Sequence, residues 1–208
     1  LVLLPEGVDP VVASLCEPGS VGRAAIRRLD VQLGDLCVIF GAGPIGLIAA
    51  QWARRAGAAK VRVVDISDEK IAFAEKFGFE VYNRERDGLA DCVLEGTGAS
   101  PALANCVMSL KNHGRLVLMG NPGRDMTVPQ KVYSQILRRE LNISGTWNSS
   151  FNRVTNDWTA TVAAMADGSI NYADLITHRV PLSDCNRALT MMRDKTEFFT
   201  KVTFVNPE

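Results

Sequence analysis

The stretch Leu36-Cys-Val-Ile-Phe40, followed at once by Gly41-Ala-Gly-Pro-Ile-Gly46, decides the reading of this chain. Its first five residues form a short apolar run between Gly34-Asp35 and Gly41, the pattern of a buried parallel strand. After the loop, Ile45, Ile48, Ala49, Trp52, Ala53 and Ala56 recur at helical spacing, and Gly57 closes the run. Val61-Arg-Val-Val-Asp65 reads as a second strand, ending on an acid nineteen positions after Gly46. A GxGxxG turn between strand and helix, followed at this distance by an acid, is the setting in which a glycine loop holds a dinucleotide's pyrophosphate. Gly41 permits the tight turn, Gly43 lets the backbone approach the phosphates, and Gly46 lets the helix pack close to the strand. Unpaired N–H groups and the helix dipole then face the anion. Gly41, Gly43, Pro44, Ile45 and Gly46 are therefore candidate cofactor-binding residues. A carboxylate at Asp65 accepts both ribose hydroxyls and repels a 2′-phosphate, which favours NAD over NADP. Two other readings stay open: a glycine-rich strand-to-helix turn beside a solvated aspartate, and a methyltransferase, whose glycine loop is usually looser.

Working outward, Ser67 reads as the N-cap of a helix with Asp68 and Glu69 in its first turn, stopping at Gly78. Glu80–Tyr82 and Asp91–Glu95 read as the third and fourth strands. Pro101 opens a helix that buries Leu103, Cys106, Val107 and Leu110. A turn at Asn112-His-Gly114 leads into strand Arg115–Met119, then a helix over Val132–Arg139 and strand Asn142–Thr146. This alternation predicts an α/β fold, a doubly wound parallel six-stranded Rossmann sheet in the order 3-2-1-4-5-6. Beyond residue 150 the rhythm breaks. Asn156 caps a helix carrying Trp158, Val162 and Met165, and an extended piece covers Leu175–Leu182. Ser183 caps a helix presenting Cys185, Ala188, Leu189 and Met192, and Lys201–Val205 is a last strand.

In an open α/β sheet the ligand lies at the carboxyl ends of the strands. Gly96-Thr97-Gly98 and Gly120-Asn121-Pro-Gly123 stand at two such ends, which makes Thr97, Gly120 and Asn121 candidates for the nicotinamide half. The catalytic side is blank. His113 and His178 have no metal-ligand spacing, and Tyr82, Tyr133 and Tyr172 have no Lys four positions on to form a short-chain dehydrogenase pair. No GxSxG occurs. The 208 residues suit one domain, or one and a fraction, with an ordinary 47% hydrophobic and 22% charged residues. The 23 basic and 23 acidic side chains balance, so there is no basic excess to attract nucleic acid or an anionic membrane. No apolar run reaches membrane-spanning length. The five cysteines are scattered without a CxxC, which points away from a disulfide framework and towards a cytoplasmic setting.

The segments Leu15-Cys-Glu-Pro-Gly-Ser-Val-Gly22, Val31-Gln-Leu-Gly-Asp35 and the loop through Leu47 resemble the zinc-dependent medium-chain alcohol and polyol dehydrogenases. Ile136-Leu-Arg-Arg-Glu-Leu-Asn-Ile-Ser-Gly-Thr-Trp147 and Leu175-Ile-Thr-His-Arg-Val-Pro-Leu182 extend the resemblance towards the sorbitol and galactitol-1-phosphate dehydrogenase branch. The resemblance implies hydride transfer between a secondary alcohol, a polyol or a polyol phosphate, and NAD. It also implies short N- and C-terminal pieces that belong to a missing catalytic zinc domain, leaving a fragment inactive alone. The expected division is residues 1–22 as the end of the catalytic domain and a connecting helix, 23–168 as the NAD-binding domain, and 169–208 as a return segment. Glu17 matches the family's glutamate at the zinc, direct or through water. Lys70 matches a basic residue near the adenosine ribose, Ile45 a residue beside the pyrophosphate, and Met119, Gly120 and Asn121 the strand end along the nicotinamide. Thr146, Trp147 and Asn148 match the segment that closes over it, although sorbitol dehydrogenases carry an aromatic-Arg-Tyr pattern there. A homodimer through the edge strand Asn142–Thr146 is expected. The alternatives are a non-catalytic dinucleotide-binding module and a zinc-free medium-chain reductase; Glu17 counts against the latter.

Overall fold

The computed structural model describes residues 2–206. All five residues of β1 (Leu36–Phe40) are buried, as a strand covered on both faces requires. Its neighbours are β2 (Lys60–Val64), β3 (Glu80–Val81), β4 (Ala90–Glu95), β5 (Leu110–Leu118) and β6 (Asn142–Gly145). They form one parallel sheet in the order β3-β2-β1-β4-β5-β6, the predicted topology. Cys37 and Ile39 point into one apolar cluster, and Leu36, Val38 and Phe40 into another on the opposite face. The period of two along β1 thus divides the core into two layers.

The helices are α1 (Pro10–Ala13), α2 (Cys16–Leu29), α3 (Pro44–Arg55), α4 (Asp68–Lys76), α5 (Arg84–Asp87), α6 (Ser100–Ser109), α7 (Gln130–Arg138), α8 (Asp157–Ala166) and α9 (Cys185–Asp194). Helices α2, α3 and α4 fill the first layer with residues such as Leu29, Ile48, Trp52 and Phe73. Helices α6 and α7 fill the second with Leu103, Val107 and Val132. The caps follow the local chemistry. Ser67 accepts from the Lys70 N–H, and Asn156 from the Thr159 N–H. Gly57, just past α3, has φ +107°, where a side chain is strained.

The C-terminal elements close on the first layer. Strands β7 (Ile176–Pro181) and β8 (Lys201–Val205) pair in parallel as a small second sheet, with α9 as their crossover. Ile170, Tyr172 and Leu175 are buried in the first cluster, and the Phe198 ring packs tilted against Phe73 with centroids 5.4 Å apart. Small residues of α2 allow close helix packing. A Cβ on Gly22 would stand 2.8 Å from the Ile48 side chain of α3, and one on Gly19 2.7 Å from Thr161 of α8. Helix α2 is continuous across residue 22, so the expected division there falls within one helix. At the start of α8, the Asp157 carboxylate is fully buried. It pairs with Arg23 and Arg27 of α2 and accepts from the Ser150 N–H at 2.8 Å.

Four local expectations are corrected. Strand β5 starts at Leu110, not Arg115, because Leu110 already pairs with Ala90 before a register shift accommodates residues 111–114. His113, at φ +59°, donates its N–H to the Arg139 carbonyl at 2.7 Å, which holds that bulge against the end of α7. Ser183 caps nothing: Pro181 starts a 3-10 turn, Leu182–Asp184, that places Ser183 inside helical geometry, and α9 begins after Asp184 without a side-chain cap. Helix α9 buries Ala188 and Met191, while Leu189 is exposed, since the turn sets its rotation. Ala56, the C-cap of α3, lies beyond the covered face and is exposed.

Burial alone pushes the Asp157 carboxyl pKa up, but the Arg27 and Ser150 hydrogen bonds and the two arginine charges outweigh it and hold the value below the ordinary range. A pKa lower in the folded than the unfolded chain adds stability that is full above the unfolded value, about 4, and is lost as pH falls below it. Asp157→Ala is expected to cost about 2–4 kcal/mol in urea unfolding at pH 7, the part-exposed Arg27 keeping it below a fully enclosed pair. The gap to wild type should narrow below about pH 4. Equal stability at pH 7 would show that α8 is held by packing alone.

Candidate functional site

The glycine loop takes the shape its residues allow. Gly41 has φ +105° and donates its N–H to the Val64 carbonyl at 2.7 Å, which ties the turn to β2. Gly43 is the N-cap of α3 in extended backbone, with Pro44 in the first turn and no side chain capping the helix. The first helical bond across the loop runs from the Leu47 N–H to the Gly43 carbonyl at 2.9 Å. The earlier N–H groups of the turn, Ile45 and Gly46, project with the helix dipole at the carboxyl end of β1. A Cβ on Gly43 would meet nothing within 4 Å, so the loop is open on that side. A Cβ on Gly46 would overlap the Gly41 carbonyl oxygen outright. One glycine leaves room for a ligand and the other lets the helix meet the strand.

Asp65 stands just beyond β2 with its side chain 6% exposed. Its Oδ2 accepts from the Ala42 N–H at 2.9 Å and its Oδ1 from the Ser67 N–H at 3.0 Å. Lys70 Nζ, in the first turns of α4, lies 3.5 Å from Oδ2. The predicted acid is therefore also a clamp between the glycine loop and the start of α4. Ile66, the next residue, is fully exposed, an apolar rim residue that the sequence reading passed over.

At the other strand ends, Glu95 was not singled out from sequence. It is the last residue of β4, yet it is 1% exposed. Its Oε1 accepts from the Thr97 N–H at 2.7 Å, the Gly98 N–H at 3.0 Å and the Thr97 hydroxyl. Its backbone carbonyl accepts from the Met119 N–H at 2.8 Å and the Gly120 N–H at 3.0 Å. The hydroxyl of Thr97 is thus spent inward. A Cβ on Gly98 would lie 2.5 Å from the Asn121 carbonyl oxygen, and one on Gly120 would overlap the Gly98 nitrogen. The signal in the sequence was an acid ending an otherwise apolar strand, directly before the N–H-rich turn Gly96-Thr-Gly98.

The Thr146–Asn148 segment follows β6. Thr146 donates its N–H to Leu118 at 2.9 Å, Trp147 is 74% exposed, and Asn148 has φ +54°. Ser149 then reaches Ser20 of α2 at 3.0 Å and accepts from Trp158 at 3.0 Å. Glu17 is exposed in the first turn of the same helix. Its neighbour Cys16 lines an apolar groove of about 640 Å³, with Leu4, Ala13, Phe151, Trp158 and Val162. Among the described residues no three His, Cys, Asp or Glu side chains come together, so these residues do not by themselves fit a zinc ion. His113 lies 3.3 Å from the exposed Glu140, and His178 bonds Thr177 at 2.9 Å. Arg139 caps the carbonyls of Met108 and Leu110 and is not free for an anion.

The geometry agrees with comparisons to known proteins. A family model described as zinc-binding dehydrogenase matches residues 44–167. D-xylulose reductase of Scheffersomyces stipitis is 32% identical over 214 residues, covering 93% of this chain and 57% of the relative. Human sorbitol dehydrogenase is 32% identical over 194 residues, covering 86% and 52%. The crystal structure of galactitol-1-phosphate dehydrogenase from Escherichia coli superposes with a TM-score of 0.85 at 25% identity, over 97% of this chain and 61% of that one. The chain thus spans only part of the length of the proteins it matches, 57% and 52% of the two curated relatives.

The two glycines separate space from packing. Gly43→Ala is expected to keep the wild-type unfolding free energy within about 0.5–1 kcal/mol, the loss of a glycine N-cap. Gly46→Ala is expected to lower it by about 1–3 kcal/mol through overpacking. Chemical denaturation of both variants checks this; equal stability would mean that α3 does not need its close approach to β1.

Proposed function

This chain belongs to the zinc-binding dehydrogenase family, and we propose that it is the NAD-holding part of an alcohol, polyol or polyol-phosphate dehydrogenase. One observation carries the reading: the acid that selects the ribose, Asp65, is hydrogen-bonded to the loop that binds the phosphates, through the Ala42 N–H. In this reading the ends of β1 and β2 bind the adenosine half together. Asp65 takes the ribose hydroxyls on its free lone pairs, with Lys70 beside them, and the Gly43-Pro44-Ile45-Gly46 turn takes the pyrophosphate. Thr97, Met119, Gly120 and Asn121 line the nicotinamide half, and Thr146, Trp147 and Asn148 close over it. NAD, when bound, supplies the hydride acceptor. This chain positions the cofactor.

Residues 1–22 and 169–208 are assigned, in this proposal, to a catalytic unit, with 23–168 as the cofactor domain. Glu17, exposed in the first turn of α2, would serve that unit's zinc directly or through water, with the remaining ligands supplied by other segments of the unit. The five cysteines are free, which suits a cytoplasmic location. All four residues of β6 are exposed at the sheet edge, and Tyr133 and Leu137 of α7 are exposed as well. An unprotected edge beside apolar side chains supports a homodimer through Asn142–Thr146.

Titration calorimetry tests the cofactor reading. The chain is expected to bind NAD at least about ten-fold more tightly than NADP, because Asp65 repels a 2′-phosphate, and Asp65→Asn should narrow that gap. No heat with millimolar NAD, or equal affinity for both cofactors, defeats the assignment. Polyol turnover by this chain with added zinc is expected to stay flat; oxidation of the alcohol would show that these residues suffice for catalysis.

A further inference from the structure

Glu95 is an ionisable side chain almost wholly enclosed at the end of an apolar strand. Packing β4 does not require a charge, since Val93 and Leu94 beside it are ordinary apolar core residues. Burying a carboxylate carries a large desolvation cost unless donors surround it. Here the donors come from one short segment: the Thr97 N–H, the Thr97 hydroxyl and the Gly98 N–H. The main-chain carbonyl of the same residue receives the N–H groups of Met119 and Gly120, from the loop after β5. Those two loops interlock so tightly that neither Gly98 nor Gly120 has room for a Cβ. On the other side, the Thr97 methyl lies 3.3 Å from where a Cβ on Gly41 would stand, against the glycine loop. One residue therefore fixes the ends of β4 and β5 to each other and seats them against the end of β1.

We propose that Glu95 is a positioning residue for the nicotinamide half of the cofactor site: its buried carboxylate sets the Gly96–Gly98 loop, and through it Thr97, Met119, Gly120 and Asn121, in the shape that receives the ring and its ribose. The proposal rests on the NAD reading above. It is separable from that reading because the adenosine half is held by other residues, Asp65 and the Gly43–Gly46 turn, which share no hydrogen bond with Glu95.

The test compares NADH, ADP-ribose and ADP as ligands for wild type, Glu95→Gln and Thr97→Val. Gln keeps the volume of Glu and one acceptor oxygen but loses the charge, and its NH₂ replaces Oε2, which accepts from the Gly98 N–H at 3.2 Å; Val keeps the volume of Thr without the hydroxyl. Losing charge-assisted hydrogen bonds should weaken NADH about ten-fold in Glu95→Gln and about three-fold in Thr97→Val, with ADP within about two-fold of wild type in both. Retained ADP binding also reports that the variants fold. NADH bound as tightly by Glu95→Gln as by wild type overturns the proposal. So does a parallel loss of NADH and ADP in both variants, the mark of a general structural role. Failure of wild type to bind any of the three removes the NAD reading itself, and the proposal with it.

Discussion

The closest constraint in this structure is the contact between α3 and β1 at Gly46. A single added carbon there would overlap the Gly41 carbonyl oxygen. Because the helix can come so near, its N-terminus points at the end of the central strand rather than past it. The uncapped first turn, the positive φ of Gly41 and the open face of Gly43 all serve that placement. Helix α2 repeats the device within the same layer, where Gly22 lets it lie against Ile48 of α3, and Gly19 lets it lie against α8.

Two carboxylates organise the crevice in the same way. Asp65 and Glu95 stand at the ends of β2 and β4, flanking β1, and both accept backbone N–H groups from the loops they face. Each is enclosed and each is satisfied, so neither leaves an unpaired buried charge. Their roles differ in what remains free. Asp65 has Lys70 at its side and keeps lone pairs for a ligand. Glu95 turns wholly inward, and its effect on a ligand passes through the residues it holds. A third carboxylate, Asp157, works at a distance, fastening α8 to α2 through Arg23 and Arg27.

Much of this was legible in the chain. The burial pattern of β1, the glycine spacing and the helix caps at Ser67 and Asn156 are local properties, set by side-chain period, positive φ and a hydroxyl or amide next to free N–H groups. The errors came where local cues competed. Asn112-His-Gly114 has the composition of a turn, yet the pairing of Leu110 with Ala90 carries it into the sheet as a bulge. Ser183 has the chemistry of a cap, yet the 3-10 turn begun by Pro181 moves the helix start beyond it. Glu95 escaped notice because an acid at a strand end ordinarily faces water, and only the folded loops supply the donors that enclose it.

The sequence by itself determined the sheet, its strand order and the glycine turn after β1. Those follow from hydrophobic period, right-handed crossovers and the few residues able to adopt the loop's backbone. It also marked Asp65 as an acid at the right distance. Tertiary structure alone decided which polar groups are spent within the protein and which remain for a ligand: Thr97 and Arg139 inward, Glu17 and Trp147 outward, Asp65 divided between both. For Asp65 and Arg139 that allocation depends on hydrogen bonds between segments far apart in the chain, which no local pattern encodes, and for Thr97 on the burial of Glu95, two residues earlier, by the packed strand ends.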